Sequence, residues 1–103
     1  MKELKLHPLL TEGQNEHYEK NGRQAIQDFE EDFTVDELQA WAKITTLKYW
    51  KRRGQKDSLA KEDAKIEAYE RYDLMLRKLQ AEGLGKCTAY LAYGIMNIEW
   101  RYN

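Results

Sequence analysis

At 103 residues the chain is one domain with a modest core, and its formal net charge of −1 excludes a global basic footprint for nucleic acid. Three Trp, seven Tyr and two Phe lie within a hydrophobic fraction of 42%, enough apolar bulk to fold, while the charged fraction of 34% fits exposed helices. Cys87 is the only cysteine, which excludes an intrachain disulfide, leaves a thiolate zinc site without its ligands and points to a reducing, cytoplasmic setting.

The opening, Met1 to Pro8, lacks the apolar run of a signal peptide. Leu4 and Leu6 alternate with polar residues, which predicts a very short strand interrupted by Pro8. Residues 9–20 read as irregular, with Gly13 and Asn15 as loop residues. A first helix is predicted over 22–32, capped by Asn21, with Ile26, Phe29 and Phe33 on one face.

Thr34-Val35-Asp36-Glu37 is a capping box and marks the start of a second helix. Val35, Leu38, Trp41, Thr45 and Tyr49 follow its apolar face, widened by Ile44 and Leu47, and Gly54 should end it after Arg53. A third helix follows Asp57 or Ser58, either of which can cap it, and runs to about Glu82 before Gly83. Its apolar stripe is Leu59, Ile66, Tyr69, Tyr72, Leu76 and Leu79. Residues 86–103 fit two patterns. Cys87, Leu91, Ile95, Ile98 and Tyr102 have helical spacing, whereas Ile98, Trp100 and Tyr102 alternate as in a strand. The longest mostly apolar stretch, Ala89 to Ile98, is too short to span a bilayer. The expected fold is a compact, mainly α domain of three to four helices, with a short terminal strand pair as an option.

The charges are segregated. Asp28 to Glu37 holds six acids and no base, and Lys43 to Lys56 holds six bases and no acid. Acids at a helix start and bases at its end complement the helix dipole. Yet Tyr49 and Trp50 interleave with Lys48, Lys51, Arg52 and Arg53, as in stacking-plus-charge sites for phosphates and single strands. Gly83-Leu84-Gly85-Lys86-Cys87-Thr88 resembles the end of a phosphate-binding loop. Gln80 stands where the first glycine belongs and Thr88 falls one residue late, so helix termination is the simpler reading. Glu62, Asp63, Glu67, Glu70 and Asp73 share helical spacing suited to a divalent cation, but Lys61, Lys65 and Arg71 among them favour a salt-bridged surface. His7 and His17 are far apart, no elbow motif surrounds Ser58, and Cys87 reads as a core residue.

An ordered set spans residues 17–79: His17-Tyr18, Ala25 to Phe29, Lys48-Tyr49-Trp50-Lys51-Arg52, Gly54 to Asp57, Glu62-Asp63, then Lys65-Ile66 and Tyr69. This set resembles a small phage-encoded domain family of largely uncharacterised function, a related segment of which belongs to a phage deoxynucleotide kinase. Thr45 stands where that family has Asn, and the extension 84–103 lies outside the match. The resemblance implies a phage origin, hence the host cytoplasm, and a link to nucleotides.

Lys48 and Arg52 lie four residues apart on one helical face, Lys56 follows the Gly54 turn, and Asp63 opens the next helix. Such a group can surround a phosphate or pin the second helix to the third. The leading expectation is an accessory protein that binds a nucleotide or phosphate through Lys48, Arg52, Arg53 and Lys56. Tyr49 and Trp50 would be stacking surfaces, Asp63 a supporting acid and Mg2+ the accompanying ion. Nucleotide-kinase-like activity follows from the resemblance alone, no catalytic residue is assigned, and no protein-held metal is expected. The alternatives are a non-enzymatic module acting on a host or phage protein, and a weak binder of single-stranded nucleic acid. Self-association stays open, and no membrane partner is expected.

Overall fold

The computed structural model describes residues 3–10, 19–20, 23–86 and 98–101. In chain order these form β1 (Glu3–Leu6), a 3-10 turn (Pro8–Leu10), β2 (Glu19–Lys20), β3 (Arg23–Gln24), α1 (Ala25–Asp32), α2 (Val35–Lys51), α3 (Leu59–Ala81) and β4 (Ile98–Arg101). The domain is mainly helical, as its periodicities predict, and β1 pairs with β4 in parallel, Glu3 opposite Ile98 and Leu6 opposite Arg101. The alternation at both ends of the sequence therefore marks a real strand pair. The helix expected from Cys87 falls largely outside the described residues.

α2 starts where its capping box lies. The Glu37 amide donates to Thr34 Oγ1 (3.2 Å), and the Thr34 amide donates to Glu37 Oε1 (2.9 Å), satisfying two donors at the helix start. Ser58 caps α3 through the Lys61 amide (3.3 Å). Gly54 and Gly83 take the left-handed conformations (φ 87° and 75°) that end α2 and α3. α1 corrects the expected start at 22. Arg23 and Gln24 pair antiparallel with Glu19 and Lys20, and the helix begins only at Ala25. Gln24, not Asn21, is the cap residue, its amide donating to Gln27 Oε1 (2.8 Å). Asn21 and Gly22 lie outside the described residues; as a sequence, Asn-Gly between two pairing segments is a hairpin signal.

α2 and α3 form an antiparallel pair, tied by Arg53 with Asp63, Gln39 with Asp73 (2.7 Å) and Asp36 with Gln80 (2.9 Å). Their facing stripes supply most of the core, including Val35, Leu38, Ala42, Tyr72, Met75, Leu76 and Leu79, closed by Leu10 and Ile26. Packing corrects two predicted faces. Ile44 (65% exposed) and Leu47 (53%) turn to solvent while Ala42 takes the buried place, and on α1 Phe29 and Phe33 stay partly exposed while Glu30 is buried.

Glu30 is buried with His7 and Tyr72. Tyr72 Oη donates to Glu30 Oε2 (2.7 Å), which also lies 3.1 Å from His7 Nε2. The Leu9 amide donates to His7 Nδ1 (3.1 Å), so Nδ1 is the acceptor and Nε2 carries the proton toward Glu30. This network fastens the 3-10 turn to α1 and α3.

Candidate functional site

The last two turns of α2 place Lys48, Tyr49 and Arg52 together, and α3 brings Lys65 and Tyr69 across from them. Tyr49 and Tyr69 lie 5.7 Å apart with their planes tilted by 34°. Around the Tyr49 ring centroid stand Arg52 Cζ at 4.6 Å, Lys48 Nζ at 5.4 Å and Lys65 Nζ at 5.7 Å. The electron-rich ring face attracts such cations. Asp57 Oδ2 accepts a hydrogen bond from Lys65 (3.2 Å), whereas Lys48 makes no ion pair among the described residues. Arg52 Nε is buried without an acceptor among the described residues.

Tyr49 also walls a cavity of about 250 Å³ bounded by Phe29, Trp41 and Tyr69, with Leu9 and Ile26 as aliphatic walls and Gln24 and Lys65 as polar ones. Trp41 sits edge-on to Tyr69 (5.4 Å) and to Phe29 (5.8 Å), so rings project into one space from three helices. A second, more apolar cavity of about 320 Å³ shares Phe29 and Trp41 as walls and is lined also by Phe33, Leu38 and Glu37.

The turn after α2 is built around Glu62. Its buried carboxylate accepts hydrogen bonds from the amides of Gly54 and Asp57. The Gly54 amide chiefly holds this carboxyl below the usual range, helped by the Asp57 and Lys56 amides and the Arg52 guanidinium, and opposed by desolvation. Backbone donors that a phosphate would recruit at this turn are thus engaged by Glu62. Arg53 forms a bidentate pair with Asp63 (2.6 and 2.9 Å). Each partner stabilises the other's charge, raising the Arg53 pKa and lowering that of Asp63.

The predicted site residues therefore divide. Lys48, Tyr49 and Arg52 come together. Arg53 and Asp63 form a clamp between α2 and α3, with Arg53 taking the place expected of Arg52. Trp50 is half exposed beside Arg53 (6.0 Å), and Lys56 is exposed. Lys65 and the Trp41–Tyr69 cavity are additions. Their sequence signal was the spacing: Trp41 and Tyr49 share a face of α2, and Lys65 and Tyr69 share one of α3.

Gly83 to Lys86 serves helix termination. The Gly83 amide donates to the Gln80 carbonyl (2.9 Å) and the Leu84 amide to the Leu79 carbonyl (3.1 Å), the paired bonds of a Schellman stop. Lys86 Nζ donates to the Glu31 carbonyl (3.1 Å). Two acids of α3 pair within the helix, Glu67 with Arg71 (2.7 Å) and Asp73 with Arg77 (3.0 Å), as a salt-bridged surface requires. Among the described residues no three His, Cys, Asp or Glu side chains converge as a metal cluster, and no helix is long and apolar enough to cross a membrane. His17, Cys87 and Thr88 lie outside the described residues.

The chain matches no protein-family model, no curated protein and no solved structure.

Proposed function

We propose that this domain binds a small phosphorylated ligand with a flat ring, of nucleotide type. The ring would enter the Trp41–Tyr69 cavity and the phosphate would meet Lys48, Arg52 and Lys65. The observation that carries the reading is the convergence of these cations on Tyr49, which is itself a wall of the aromatic cavity. A buried Arg52 Nε without an acceptor among the described residues supports it, since such a donor gains most from an incoming anion. The cavity, at about 250 Å³, lies just below the usual range for whole small-molecule sites, so it suits a ring with its phosphate outside. Phage origin and phosphoryl transfer with Mg2+ rest on the family resemblance alone.

Calorimetric titration with nucleoside monophosphates, the parent nucleosides and inorganic phosphate, each with and without Mg2+, tests the reading. The nucleotide should bind at least tenfold more tightly than either fragment, with a change in Trp fluorescence that Trp41→Phe abolishes. Arg52→Gln should weaken binding by about tenfold or more, equivalent to about 1.4 kcal/mol, and leave the fold intact. Absence of any nucleotide-dependent heat or fluorescence change overturns it. An oligonucleotide that outcompetes every mononucleotide would support the single-strand reading instead.

A second reading, capture of a protein segment, is favoured by the partly exposed Phe29 and Phe33 around the more apolar cavity. Phe33→Ser should then abolish co-purification of one defined partner while Arg52→Gln does not.

A further inference from the structure

The side of α2 opposite the core carries its own pattern. Asp36, Ala40, Ile44, Leu47 and Lys51 fall within one narrow stripe of the helix, and every one of them is exposed. Trp50 flanks the stripe, also half exposed. An acid stands at one end, a base at the other, and apolar side chains between them. Asp36 Oδ1 is oriented by Gln80 (2.9 Å), and Lys51 makes no ion pair among the described residues.

We propose that this face docks against a second copy of the same chain, with the two α2 helices antiparallel about a two-fold axis near residues 43 and 44. That arrangement sets Asp36 against the second copy's Lys51 at both ends. It also sets Ala40 against Leu47, small against large, with the two Ile44 side chains near the axis. A parallel arrangement would oppose Asp36 to Asp36 and Lys51 to Lys51, so charge selects the antiparallel register. A wholly acidic partner would leave Asp36 repelled, and a wholly basic one Lys51. The pattern is complementary to itself, as a two-fold interface requires.

One helix pair covers less than the roughly 800 Å² per partner of a standard interface, so the dimer should be weak. The nucleotide-type cavity lies on the other side of α2, and the proposal stands independently of it.

Sedimentation velocity of the full chain from about 5 μM to about 500 μM should show a reversible monomer–dimer equilibrium in the micromolar range. Ile44→Glu should give monomer throughout, with circular dichroism confirming an unchanged helix content. Asp36→Lys and Lys51→Glu should each weaken the dimer at least tenfold. Mixing these two single variants should restore it, because the heterodimer regains opposite charges at both ends. A gentler variant, Asp36→Asn, should weaken the dimer without touching the fold. Wild type that stays monomeric at the highest concentration overturns the proposal. So does a dimer indifferent to Ile44→Glu, or a mixture that fails to recover.

Discussion

Glu62 has the environment in which a carboxyl would ordinarily pick up a proton, since desolvation opposes its charge. The Gly54, Asp57 and Lys56 amides nonetheless hold its pKa below the usual range. A depressed native pKa means the unfolded chain binds the proton more readily. The stabilisation from Glu62 is therefore complete above the ordinary carboxylate range and is lost as pH falls through its lowered value. Glu37 and Asp63 shift in the same direction, through Thr34 and Arg53 respectively, so the molecule should lose stability on acidification. Urea midpoints measured between pH 7 and pH 3 should fall, and the slope should be shallower for Glu62→Gln. An unchanged slope in that variant would remove Glu62 from the turn's organisation. Single residues also show where reading by neighbours stops. The Thr34–Glu37 box is visible because its partners are three apart. His7 looks solitary because Glu30 and Tyr72 reach it only through the fold.

At the scale of elements, helix starts and stops are the most legible features, because capping chemistry is local. The two left-handed glycines separate from their neighbour Gly85 in a way that can be measured. Among the described residues an added Cβ at Gly83 meets nothing within 4 Å, and at Gly54 it meets Leu59 at an ordinary 3.5 Å, so the cost at both is backbone strain. Gly83→Ala and Gly54→Ala should each destabilise by about 1–2 kcal/mol. Gly85→Ala, with no atom of the described residues within 4 Å of the added Cβ and no positive φ, should be close to neutral. Thermal unfolding of the three variants checks this, and a large effect at Gly85 would point to a role that helix termination does not supply. The start of α1 escaped prediction because a hairpin signal and a cap signal overlap at Asn21. The outward turn of Ile44 and Leu47 escaped it because periodicity finds apolar stripes without saying which one a neighbouring helix will cover.

For the molecule as a whole, the β1·β4 ladder joins residues 3–6 to residues 98–101, with Leu6 at its end packed against the core. Residues 7–10 are anchored separately, by the His7–Glu30–Tyr72 network and by Leu10 in the core. Removing residues 98–103 should therefore free the amides of residues 3–6 to exchange with solvent, while α2 and α3 keep their protection. Hydrogen exchange followed by peptide mass analysis would measure this. Equal loss of protection across α3 would mean that the ladder and the helices unfold as one unit.

The amino-acid sequence by itself determined the mainly helical class, the capped starts of α2 and α3 and their glycine stops, because each depends on residues a few positions apart; the terminal strand pair was one of two patterns for residues 86–103, because its partners, Glu3–Leu6 and Ile98–Arg101, lie at opposite ends of the chain. It also marked the basic run as the segment to watch. Only the tertiary structure decided how that run divides. Arg53 went to Asp63, the turn amides went to Glu62, and Lys48 and Arg52 were left around Tyr49 with Lys65 arriving from α3. The reason is that charge and hydrogen-bond partners compete across the helix pair. The winner depends on the angle at which α3 returns along α2, which no local pattern encodes.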